Sequence, residues 1–122
     1  MARKKASNGW SFPSLVLLPV TLVDAATVAT DASLGNAFRV AITASRTLGA
    51  PTNPVDGQLA RWEINSSGGS WTLTLAGGAG GFGFGSDITA LTATASGKTD
   101  VLGCVYNSAA NLWWVIAYVK GY

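Results

Sequence analysis

Apolar residues recur at every second position in short runs along this chain, the pattern of strands that bury one face. Phe38, Val40 and Ile42 alternate with Arg39, Ala41 and Thr43. Ala60, Trp62 and Ile64 alternate with Arg61 and Glu63, and Trp71, Leu73 and Leu75 with Thr72 and Thr74. Threonine fits the open side of a pleat, where its branched Cβ packs well. This phase places Trp62 and Trp71 in the core. Residues 14–23 read as a further strand, with Pro19 at an edge or bulge because proline cannot donate to a ladder. Residues 88–95 read as a weaker strand of small residues, and 101–107 as another.

The run 112–119 is apolar on both faces. Strict alternation puts Trp113, Val115, Ala117 and Val119 on one side and Leu112, Trp114, Ile116 and Tyr118 on the other. Such a strand is either central or has one face covered by another subunit, and the small, charge-poor chain favours the second. Turn signals separate the runs: Leu34-Gly35-Asn36, Pro51-Thr52-Asn53-Pro54, Asp56-Gly57, Asn65-Ser66-Ser67-Gly68-Gly69 and Ser96-Gly97. Residues 107–111 read as a hairpin loop. Only residues 24–34 are ambiguous for a helix. The expected fold is all-β, with seven or eight short strands in a single β-sandwich or jelly-roll-like domain over residues 14–122, preceded by an arm over residues 1–13.

Composition sharpens this picture. The 122 residues are 48% apolar and only 11% charged, against about 25% charged in ordinary soluble domains. So little charge implies that part of the surface is covered by other subunits. Arg3, Lys4 and Lys5 hold three of the eight basic residues, which leaves the rest of the chain with five basic and six acidic groups. A nucleic-acid-binding domain spreads Lys and Arg over a groove or face, so no nucleic-acid partner is expected. The basic arm followed by residues 15–18 has the outline of a signal peptide, but Trp10, Phe12, Pro13 and Pro19 interrupt it. The apolar stretch also falls far short of the roughly 20 residues that span a bilayer, so no membrane is expected either.

Chemistry is sparse. The chain has no histidine, which removes the commonest metal ligand and the usual triad base. Cys104, the single cysteine, sits in a strand pattern and reads as a small core thiol. Gly97-Lys98-Thr99 resembles the end of a phosphate-binding loop, but Thr92 stands where that pattern needs glycine and a strand follows instead of a helix. The glycine run 76–85 lacks a βαβ setting and reads as a loop anchored by Phe82 and Phe84. Most of the six carboxylates lie beside turn signals, where aspartate caps backbone. The expectation is a protein that is not an enzyme and holds no cofactor or metal.

The ordered string Arg46-Thr47-Leu48, Pro51-Thr52-Asn53-Pro54, Asp56-Gly57-Gln58, 71–75, Gly97-Lys98-Thr99-Asp100, Tyr106-Asn107, Trp113 and Lys120-Gly121-Tyr122 is similar to a β-module of tailed-bacteriophage virion proteins. That module occurs in tail-fibre and minor tail proteins and as small capsid decoration proteins. The resemblance covers about residues 20–122. It implies a β-rich, often trimeric structural part located in the virion, on the capsid surface, with the major capsid protein and copies of itself as partners. In that setting Arg3, Lys4, Lys5, Trp10 and Phe12 are the expected shell contacts. Trp113, Trp114, Tyr118, Phe82 and Phe84 are the expected core and subunit interface. The alternative is a tail-fibre module that recognises host cell-surface glycans.

Overall fold

The alternating runs form strands where period two is strongest. The computed structural model describes residues 18–122 and contains β1 (Val20–Thr21), β2 (Thr27–Val28), β3 (Ala37–Ile42), β4 (Arg46–Leu48), β5 (Leu59–Ser66), β6 (Leu73–Leu75), β7 (Phe82–Gly83), β8 (Thr99–Asn107) and β9 (Leu112–Val119). The first six alternate strictly between two sheets. β1, β3 and β5 lie parallel in one, and β2, β4 and β6 lie parallel in the other. The chain therefore winds as a coil of three turns, each giving one strand to each sheet. Phe38 stands between Val20 and Trp62, and Thr47 between Thr27 and Thr74. The hairpin β8–β9 then adds antiparallel to β5, and β7 closes the large sheet in the order β1-β3-β5-β8-β9-β7.

The result is one six-stranded mixed sheet and one three-stranded parallel sheet. Parallel pairing departs from the antiparallel connectivity of a jelly roll. The physical reason is that the links between successive turns are long loops, which return the chain to the same end of each sheet, whereas tight hairpins would reverse it. The two sheets share one core. Val28, Leu48 and Leu73 from the small sheet pack with Phe38, Trp62, Ile64, Leu102 and Trp113 from the large one. Its centre is aromatic: the Trp62 ring lies 5.5 Å from Phe38, 5.5 Å from Phe82 and 5.6 Å from Trp113. Offset and edge-on contacts of this kind contribute about 0.5–1.5 kcal/mol each beyond area burial.

Four local expectations change. Within the described residues the run 14–23 reduces to Val20–Thr21, because pairing begins only after Pro19, which has no N–H to donate. Residues 88–95 form no strand; Thr94 alone bridges to Trp71, since alanine and threonine bring too little apolar area to order a ladder there. Trp71 is half-buried at the rim, with its indole against the Gly69 backbone and its N–H donating to the Ser67 carbonyl at 2.8 Å. Residues 24–34 hold β2 and a single 3-10 turn, Ala32–Leu34, capped by the Asp31 carboxylate accepting from the Ser33 N–H at 3.0 Å.

The fifth change matters most for the surface. Cys104 pairs with Val115 and Gly103 with Ala117, so Ile116 is an extra residue, a β-bulge in β9. Beyond it the alternation inverts. Trp113 and Val115 point into the core, but Tyr118 replaces Ala117 and Val119 on the inward side, opposite Leu102.

Candidate functional site

Among the groups capable of chemistry, five carboxylates bind neighbouring parts of the chain. Asp24 accepts from Arg46 Nε at 2.8 Å and from the Thr43 hydroxyl at 2.7 Å, and the Arg46 guanidinium foremost holds its carboxyl at about 2. Asp31 accepts from Ser33 and Asn53, and Asp56 from the Ser108 N–H at 2.8 Å; both carboxyls are held below their ordinary value by these donors. Glu63 lies between Arg39 and Arg61. No two of these groups share a partner, so they act as ties between segments.

The fifth, Asp100, is only 1% exposed. It accepts from the Thr94 hydroxyl at 2.8 Å, the Lys120 ammonium at 2.7 Å and the Gly121 N–H at 2.9 Å, with the Tyr118 hydroxyl 3.3 Å away. Burial pushes its carboxyl up, but the Lys120 and Thr94 bonds with the Gly121 N–H outweigh this, and the net direction is down. Thr99 and Tyr122 exchange two backbone hydrogen bonds of 2.9 Å beside it. The cluster therefore fastens residues 120–122 to the start of β8. Cys104 is buried, and desolvation pushes its thiol up to about 12, which leaves no thiolate at neutral pH. Among the described residues no three His, Cys, Asp or Glu side chains gather as a metal site, and no helix is long and apolar enough to cross a membrane.

The surface feature that stands apart is the outward face of the large sheet at β8 and β9. Register aligns Leu59, Val105, Trp114 and Gly83 in one row across four strands. The next row holds Arg61, Gly103 and Ala117 with the bulged Ile116, and the third holds Arg39, Glu63, Val101 and Val119. Two hollows open on this face on either side of Ile116, and Trp114 stands at the edge of the second. One, of about 270 Å³, opens over Gly103 and is lined by Asn36, Leu59, Arg61 and Ile116. The other, of about 330 Å³, lies over Gly83 and Gly85 between Phe84, Leu112 and Ile116. Glycine makes both hollows, because these positions have no side chain to fill them. The only charges along these rows, Arg39, Arg61 and Glu63, are already paired with one another.

The expected interface residues separate accordingly. Trp113 and Phe82 lie inside the chain's own core at 0% and 5% exposure and present no surface to a second subunit. Tyr118 is half-buried in the Asp100 cluster. Trp114 and Phe84 are exposed on the apolar face. Arg3, Lys4, Lys5, Trp10 and Phe12 lie outside the described residues. Leu59 and Gly103 escaped sequence reasoning. Leu59 stands one residue before the run counted from Ala60, and a glycine inside a strand pattern was the signal for the hollow. Comparison with protein-family models, curated proteins and solved structures finds no match for this chain.

Proposed function

We propose that this chain is a non-enzymatic structural protein of a bacteriophage virion, a homotrimer that decorates the outside of the head and stabilises contacts between capsomers. The observation that carries the reading is the uncharged, aromatic outer face of β8–β9 on a body whose carboxylates mainly serve as internal ties. A surface of that kind has more to gain from assembly than from turnover. The two sheets, sharing one core, would act as a rigid sandwich-like block. The basic arm with Trp10 and Phe12 would reach the major capsid protein. A protein that binds only the assembled shell stabilises it by mass action, so no cofactor and no reaction are required.

The coil favours a second reading, a tail-fibre module. Its turns stack along one axis, and further turns before β1 would extend it without altering the rest, as in other solenoids. In that role the exposed aromatics would meet host glycans. Cryo-electron microscopy of the source virion separates the two. Density at three-fold positions on the head supports decoration, and density confined to the tail overturns it. Deletion of residues 1–12 is expected to abolish shell binding in a cosedimentation assay while the protein remains folded; retained binding removes the arm from the mechanism.

A further inference from the structure

We propose that the outward face of β8 and β9 is a contact between copies of this chain, with Trp114 of one copy seated in the hollow over Gly103 of the other. The inference rests on the reading of the chain as a structural subunit and adds the occupant of the surface and the way it is gripped. Three observations carry it.

The first is shape. The face offers a ridge, Trp114, and one row away a hollow of about 270 Å³ bounded by Asn36, Leu59, Arg61 and Ile116. Gly103 forms the floor because a glycine there leaves the space above β8 open. Ridge and hollow lie on the same face, so two copies meeting through it can each seat Trp114 in the other's hollow, an isologous contact about a two-fold axis.

The second is area. Trp114 is 46% exposed, Ile116 56%, Leu59 59% and Phe84 37%. At about 150–250 Å² for each large side chain, the four expose roughly 300–500 Å² of mostly apolar surface. A standard interface removes about 800 Å² per partner. These four residues alone therefore supply about half of what a stable association needs, and Val105, Val119 and Phe84's flanking glycines extend the patch.

The third is charge. The hollow beside Phe84 and Trp114 has no polar side chain in its lining except the indole N–H. The receiving hollow over Gly103 holds two, Asn36, whose amide donates to the Leu59 carbonyl at 2.6 Å, and Arg61, which is paired with Glu63. Both are engaged within the chain, so a glycan would find few free partners for its hydroxyls, and a strongly charged protein would find no opposing field. A neutral apolar surface fits, and the chain itself, 11% charged, supplies one. At the rim, each copy presents the same Arg39–Glu63–Arg61 set, in which both signs are available.

The test is the mass of the whole chain by sedimentation equilibrium across micromolar concentrations. The wild-type protein is expected to associate. Trp114→Ser and Ile116→Ser should each raise the dissociation constant at least 100-fold. As monomers both should keep the wild-type circular dichroism, because both side chains project outward and about half of each is already exposed. Gly103→Val, whose Cβ would meet only the Ala117 Cβ at 3.4 Å, is expected to keep the wild-type circular dichroism while its methyls enter the hollow, and should weaken association to a similar degree; Gly103→Ala provides the smaller step. Leu34→Ser, exposed on the turn between β2 and β3, should leave the mass unaltered. A wild-type monomer at all concentrations overturns the inference, as does normal association by the Trp114 and Gly103 variants. A monomer that still decorates heads defeats this contact and the homotrimer but leaves decoration of the head standing. Association through this face by a protein found nowhere in the virion does the reverse.

Discussion

Trp62 and Trp113 are both fully buried and pack edge to face, yet they differ in one hydrogen bond. The Trp62 indole N–H donates to the Thr30 hydroxyl at 3.1 Å, whereas the Trp113 N–H has no partner among the described residues. A buried donor without a partner costs about 1–3 kcal/mol. Trp113→Phe removes that cost along with some packing, but Trp62→Phe removes packing and strands the Thr30 hydroxyl. Trp62→Phe is therefore expected to destabilise by about 1–2 kcal/mol more than Trp113→Phe, read from urea midpoints at constant slope. Equal losses would mean that the Thr30 bond is energetically silent. Period two was enough to place both rings inside. It misplaced Trp71, whose position depends on the bare backbone of Gly69 beneath its indole.

At the scale of elements, the glycine-rich loop before β7 is constrained at one residue and open at others. A Cβ on Gly81 would sit 2.5 Å from the Ala76 carbonyl oxygen and 2.7 Å from that of Gly77. Around Gly85 there is nothing within 4 Å. The Gly81 carbonyl also accepts the Trp113 backbone N–H at 2.8 Å, so its place decides how β7 meets β9. Gly81→Ala should cost about 1–3 kcal/mol through backbone displacement, with Gly85→Ala close to neutral, both measured by thermal melting. The hairpin β8–β9 was legible from its apolar runs and its loop, where the Asn107 carboxamide accepts from the Ala110 N–H and Asn111 takes φ 51°. The bulge at Ile116 was not, because nothing in an unbroken apolar run marks the residue that slips. That slip turns Tyr118 inward to Asp100 and puts Ala117 and Val119 on the outside with Trp114 and Ile116.

For the whole molecule, acid is the natural probe. Asp24 joins the loop before β2 to β4, and Asp100 joins the last residues to β8. Both native carboxyls lie below the unfolded value of 3.8, Asp24 at about 2. Their stabilisation is therefore complete above the unfolded value and is lost as pH falls through the native one. The urea midpoint should fall between pH 4 and pH 2, and Asp24→Asn should flatten part of that fall while lowering stability at neutral pH. A wild-type midpoint constant over this window would show that these ties do not contribute. The single-site effect of Asp24 should stay small, because an ion pair near the surface is screened by solvent.

The amino-acid sequence by itself determined the β class, the long strands β3, β5, β8 and β9, the buried Phe38, Trp62 and Cys104, and aspartates bound to turns. These follow from local periodicity and from side chains meeting their own neighbourhood. Only the tertiary structure decided that the first six strands wind as a parallel coil, that Trp113 faces inward while Trp114 stands free, and that Gly103 floors a hollow. The reason is physical. Period two assigns a residue to one of two faces, but it is the same for a parallel and an antiparallel neighbour. Which strand lies alongside, and where a bulge reverses the faces, is settled by packing among residues far apart in the chain.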